Sequence, residues 1–61
     1  MKMTGKTVVI TGASRGIGEA AVREFAEKGA NVVLLARDAD RIASIATEIG
    51  ETALAIPCDV T

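Results

Sequence analysis

Three short runs rich in β-branched and aliphatic residues, Thr7–Thr11, Asn31–Ala36 and Ala53–Cys58, alternate with two stretches whose apolar residues recur at helical spacing. That alternation predicts βαβαβ and a parallel sheet, because parallel neighbours need a crossover of a dozen residues or more and a helix fills it. Both crossovers are long enough, and right-handed connections give a three-stranded α/β sheet in spatial order 3-2-1, with Thr7–Thr11 at an open edge. The first two runs are continuously apolar rather than alternating, so cover on both faces of the sheet is expected.

The first helical stretch is Gly16–Lys28. Ile17, Ala21 and Phe25 fall four apart, with Val22 and Ala26 on a neighbouring stripe, and together they form the expected buried face. Glu19, Arg23, Glu24, Glu27 and Lys28 occupy the other side as solvated charge, with Glu-to-Arg and Glu-to-Lys pairs at i,i+4 in the favourable order. Gly29 supplies the backbone freedom that ends the helix. Asp38 is a good N-cap for the second helix and Asp40 suits its first turn. Ile42, Ile45, Ala46 and Ile49 then mark a core stripe before Gly50.

Composition narrows the function classes. Seven Lys and Arg against eight Asp and Glu leave a net charge of −1, with no basic field for nucleic acid. The longest apolar run, Val32–Ala36, is far below the ~18 residues of a membrane span. The residues behind Met1 hold no export-type apolar core, so the expected compartment is the cytoplasm. With no His and a single Cys, Cys58, neither a Cys/His zinc site nor a His-based triad can be built, so no metal site is expected.

Thr11-Gly12-Ala13-Ser14-Arg15-Gly16-Ile17-Gly18 lies where the first strand turns into the first helix. Backbone N–H groups at a helix start lack partners within the helix and carry the positive end of its dipole, so the place suits a phosphate. Gly12 permits a tight turn, Gly16 lets a ligand approach the backbone, and Gly18 lets helix and sheet pack closely. No Gly-Lys-Ser/Thr follows Gly12 at the distance a Walker A loop needs, which excludes that class.

This G-x-x-x-G-x-G loop, directly after Val8-Val9-Ile10, closely resembles the cofactor loop of the short-chain dehydrogenase/reductase family. The resemblance runs from Lys6-Thr7-Val8 through Leu34-Leu35-Ala36-Arg37 to Cys58-Asp59-Val60-Thr61, and within the family it is similar to 3-oxoacyl-(acyl carrier protein) reductases. It implies a partial Rossmann fold and a dinucleotide cofactor held by Gly12, Ser14, Arg15, Gly16, Ile17, Gly18, Arg37, Asp59 and Val60. NAD-preferring sites place an acid about 20 residues past the glycine loop, where it accepts from the ribose hydroxyls and repels a 2′-phosphate. Ala36 holds that place here, and Arg15 and Arg37 match the two basic positions of NADP-preferring members, so NADP is expected over NAD. Alternatively, Arg37 could pair with Asp38 or Asp40, and a one-residue slip could bring Asp38 to the ribose. Ser14 could reach a phosphate or cap the helix. By resemblance the Asp59 side chain and the Val60 backbone meet the adenine ring; a turn or cap role for Asp59 is the other reading.

The family's chemistry is hydride transfer between nicotinamide and a carbonyl or alcohol carbon, using a Tyr, a Lys and a Ser. This chain has no tyrosine, so no catalytic residue can be placed and the 61 residues alone are expected to be inactive. So short a chain keeps only about 60% of its unfolded surface from water. It is therefore expected to be the amino-terminal half of a dinucleotide-binding domain in a longer, oligomeric parent. Its expected partners are the cofactor and either the rest of that parent or a second copy along the open sheet edge. The alternative function is non-enzymatic: a βαβαβ unit that self-associates or docks through that edge.

Overall fold

In the computed structural model, which describes residues 2–13 and 15–58, the aliphatic runs do form strands and the periodic stretches helices. The elements are β1 (Thr7–Thr11), α1 (Gly16–Glu27), β2 (Asn31–Ala36), α2 (Ala39–Ile49) and β3 (Ala53–Pro57). The helix α1 ends one residue, and β3 one residue, before the expected limit. Both β1 and β3 pair with β2 in parallel, so the order is β1-β2-β3 with β2 in the middle. Val8 lies beside Val32, Ile10 beside Leu34, and Val33 beside Leu54.

In β2 the side chains alternate, as the pleat requires, and Val32, Leu34 and Ala36 are buried on one face. Val22 of α1 and Ile42 and Ile45 of α2 close over them, with Ala13 and Ala30 completing the core. Val8 and Ile10 from β1 and Ala53 and Ala55 from β3 pack at its margins. Cover on both faces, expected from the unbroken apolar runs, is not found. Val9 is 58% exposed, Leu54 57% and Ile56 41%, all on the other face with the half-buried Val33 and Leu35. The reason is topological: two crossovers of one hand that step the same way across a sheet bring both helices to the same side.

Ile17 also departs from expectation, being 91% exposed instead of buried. It belongs to the first turn of α1, which starts past the carboxyl end of β1, where there is no sheet beneath it. The buried side of α1 is centred on Val22, with Ala21, Phe25 and Ala26 half-buried beside it.

Cap and turn chemistry follow the sequence. The Asp38 carboxylate accepts from the Arg41 N–H at 3.0 Å and caps α2, and Gly29 and Gly50 take positive φ values of 91° and 107° past the two helices. Before β1 the chain is pinned by Met3 N–H donating to the Lys28 carbonyl at 2.7 Å.

The surface charges do more than line α1. Arg23 pairs with Glu19 at 3.0 Å and Lys28 with Glu24 at 3.4 Å, the expected i,i+4 pairs. Arg23 also reaches Glu48 of α2, and Arg41 of α2 reaches back to Glu19, so two ion pairs bridge the helices. Hydrogen bonds, first from Arg23 and then from Arg41, hold the Glu19 carboxyl below its ordinary value of 4.5. The Arg23 guanidinium is pushed up, by Glu48 first and Glu19 second. A carboxyl with a lowered folded value contributes stability that is complete above its unfolded value and disappears as pH falls through the folded one. In urea titrations Glu19→Gln should therefore unfold earlier than the parent chain above pH 4.5, with the gap closing on further acidification. A gap that stays constant from about pH 7 to about pH 2 would show that charge is not what links the helices.

Candidate functional site

The site is assembled where the three strands end. After Thr11 the chain turns at Gly12, whose φ of +66° lies in the left-handed region that glycine tolerates. The Gly12 N–H donates to the Leu35 carbonyl at 2.9 Å and the Ala13 N–H to the same oxygen at 3.4 Å, which hooks the loop over the end of β2. The Gly12 carbonyl in turn accepts from the Arg15 N–H at 3.2 Å. Ala13 is fully buried beneath.

Gly18 is where helix and loop meet most closely. A Cβ there would lie inside contact distance of the Gly12 carbonyl oxygen and 3.1 Å from the Ala13 Cα. Gly16 differs: a Cβ on it would meet nothing within 4 Å and would occupy the open space in front of the helix start. Arg15 is the N-cap residue, extended at φ −114° and ψ 154°, and its side chain makes no capping bond. The first intrahelical bond into the cap is Glu19 N–H to the Arg15 carbonyl, at 2.7 Å. Among the described residues the N–H groups of Gly16 and Ile17 therefore have no backbone partner. At a helix start such N–H groups carry the positive end of the helix dipole, and with open space at Gly16 the arrangement suits an anion.

Arg37 follows the last residue of β2 and is exposed, so the tie from Gly12 to Leu35 brings the glycine loop and Arg37 to one end of the sheet. Neither Arg15 nor Arg37 forms an ion pair with a described residue. Asp38 is engaged as the cap of α2. Beyond β3 the Cys58 N–H donates to the Ala36 carbonyl at 2.9 Å, so the third connection leaves from the same end. Ser14, Asp59 and Val60 lie outside the described residues. The described residues hold no cluster of His, Cys, Asp and Glu that could bind a metal, and no helix among them is long and apolar enough to cross a membrane. A groove of about 410 Å³ lined by Arg23, Ala26, Glu27, Ile49 and Thr52 lies at the opposite end, away from the glycine loop and Arg37.

The residues that sequence reasoning missed are Arg41 and Glu48 and their crossing pairs with Glu19 and Arg23. A signal was present. Arg41 stands in the first turn of α2 and Glu48 in its last, each of the sign that the helix dipole disfavours.

The two inner glycines should separate experimentally. Gly18→Ala forces helix and loop apart and should cost about 1–3 kcal/mol in urea or thermal unfolding. Gly16→Ala should leave the midpoint nearly unchanged; equal losses would refute the division between a packing glycine and an access glycine.

Residues 6–61 match the family model described as short chain dehydrogenase. Over 56 residues the chain is 54% identical to an uncharacterized oxidoreductase of Mycobacterium tuberculosis, covering 92% of this chain and 22% of that protein. The 3-ketoacyl-(acyl-carrier-protein) reductase from Brucella melitensis, complexed with NADH, is similar with a TM-score of 0.89 and 45% identity, over 92% of this chain and 23% of that one. L-Sorbose reductase from Gluconobacter frateurii, complexed with NADPH and L-sorbose, is similar with a TM-score of 0.90 and 42% identity, over 98% and 24%. The chain thus spans between 22% and 24% of the length of these relatives. With a match over nearly all its residues, it belongs to the short-chain dehydrogenase/reductase family.

Proposed function

We propose that these residues are the NADP(H)-binding amino-terminal half-domain of a short-chain oxidoreductase acting on a carbonyl or alcohol substrate. The observation that carries the reading is the helix start of α1: Gly16 and Ile17 N–H groups with no backbone partner among the described residues, a cleared approach at Gly16, and two exposed guanidiniums, Arg15 and Arg37. The diphosphate rests on the amide cradle, with Ser14 adding a hydroxyl. Arg15 and Arg37 receive the 2′-phosphate, and Asp59 and the Val60 backbone meet the adenine. When bound, the nicotinamide group supplies the hydride chemistry; this chain's residues bind and orient the other end of the molecule. With no tyrosine in the sequence, the 61 residues by themselves turn over no substrate. The reaction belongs to a longer, cytoplasmic, oligomeric parent.

The choice of NADP over NAD rests on Arg15, Arg37 and the neutral Ala36, since the similar reductases above were solved one with NADH and one with NADPH. A charged hydrogen bond contributes about 1.5–3 kcal/mol, so two of them separate the cofactors by about tenfold to a thousandfold or more. In titrations NADPH should bind more tightly than NADH, and Arg15→Ala with Arg37→Ala should abolish most of that preference. Adding 2′,5′-ADP should shift the amide signals of Gly16, Gly18 and Arg37. Discrimination that survives both substitutions would overturn the NADP assignment, and unmoved amides at millimolar 2′,5′-ADP would overturn the site.

A second reading is favoured by the bare sheet face. Val9, Leu54 and Ile56 expose apolar surface beside two outer strands whose outer edges have no neighbouring strand among the described residues, a combination that promotes association. If association rather than cofactor binding is the role, sedimentation should show concentration-dependent dimers that Val9→Lys with Ile56→Lys returns to monomer. A monomer that binds nucleotide defeats that reading.

A further inference from the structure

We propose that the Glu19–Arg41 ion pair is a strut that sets the spacing between the two loops of the cofactor site, making both residues positioning residues for a ligand that touches both loops. The inference rests on the dinucleotide reading above and adds to it a pair of residues outside the glycine loop. Arg41 sits in the first turn of α2, where the helix dipole disfavours a cation, so its presence is not explained by α2 itself. Its guanidinium crosses to Glu19, in the first turn of α1. Glu19 lies three residues past Gly16, about 4.5 Å along the axis at 1.5 Å per residue. Arg41 lies four residues past Arg37 and donates its own N–H to Asp38. Each end of the bridge is therefore anchored in the turn that directly follows one loop.

The carboxylate is not free to swing. Its other oxygen is held by Arg23 at 3.0 Å, and its side chain is only 20% exposed. On the sheet side the same two loops are joined by the Gly12 and Ala13 N–H groups on the Leu35 carbonyl. The loops are thus tied twice, by backbone at the strand ends and by side chains at the helix starts. A ligand with one phosphate at the start of α1 and another at Arg37 requires a fixed gap between them; a ligand on α1 alone does not. Glu48–Arg23 provides an internal control, since it also joins the helices but at Glu48 is held by the last turn of α2.

Titrations of the chain with 2′,5′-ADP, which spans both loops, and with inorganic pyrophosphate, which needs only the start of α1, test the strut. The readout is the ratio of the two affinities, because partial unfolding lowers both together and cancels. Arg41→Ala and, independently, the isosteric Glu19→Gln should each lower the ratio of 2′,5′-ADP to pyrophosphate affinity about three- to fivefold, and the double variant no further. Glu48→Gln should leave the ratio unchanged. A ratio unmoved by Arg41→Ala and Glu19→Gln, or moved as much by Glu48→Gln, overturns the strut. If the parent chain binds neither ligand, the dinucleotide reading itself falls, which is a different and distinguishable result.

Discussion

The Leu35 carbonyl, accepting from the N–H groups of Gly12 and Ala13, is the contact around which the rest is arranged. It forces the chain leaving β1 to fold over the end of the neighbouring strand before it can start a helix. That path requires the positive φ of Gly12, and it brings α1 so close to the loop that only a glycine fits at position 18. It also sends Ala13 into the core, so the turn is held from below by packing as well as by hydrogen bonds. With the turn so constrained, α1 starts at the end of the sheet where β2 finishes and Arg37 follows. The proposed cradle is a by-product of closing a parallel strand pair tightly.

The same topology limits what the chain can do for itself. Two helices on one side give a core of eight buried residues among those described, none larger than Leu or Ile, while the reverse of the sheet carries Val9, Leu54 and Ile56 in the open. A unit of this size is marginal on general grounds, since the area that it removes from water scarcely offsets the entropy of ordering its backbone. The ion pairs between α1 and α2 lie on the outer surface, where solvent screens them, so they orient the helices more than they hold the unit together.

Most of the fold was legible because its signals are local. Runs of β-branched residues, the Asp38 cap and the glycines at 12, 18, 29 and 50 each act within a few residues of themselves, and each is found as expected. What failed depended on neighbours distant in sequence. The apolar runs of β1 and β2 describe what each face tolerates, but which face is covered follows from the direction in which both crossovers step. Ile17 shares the spacing of Ala21 and Phe25, yet spacing says nothing about where the sheet ends beneath the helix, and Ile17 lies beyond it. For the candidate site, the glycine motif marks the loop, and the place of Arg37 after the second strand, with the resemblance, marks the second position. The bridge from Arg41 to Glu19 joins residues 22 apart in sequence, so helical spacing within α1 or α2 does not reveal it; only the wrong sign of Arg41 in the first turn of α2 hints at a partner elsewhere.

A net charge of −1 is a poor start for binding a molecule with several phosphates, but the sum over the chain is the wrong quantity. A charge influences the anion only within about 8 Å at physiological ionic strength, so local balance decides. Around the start of α1 and the end of β2, the Glu19 carboxylate is shared by two guanidiniums and the Asp38 carboxylate accepts the Arg41 N–H. Arg15 and Arg37 make no ion pair with a described residue, and the amino end of α1 adds its own partial positive charge. Glu19 is thus neutralised by its own partners while these bases remain available, which favours an anion at this end of a slightly acidic protein. Arg23 and Arg41, the cations that engage Glu19, lie on the helices rather than in the loops, so the proposed anion site draws on charges that never touch the ligand.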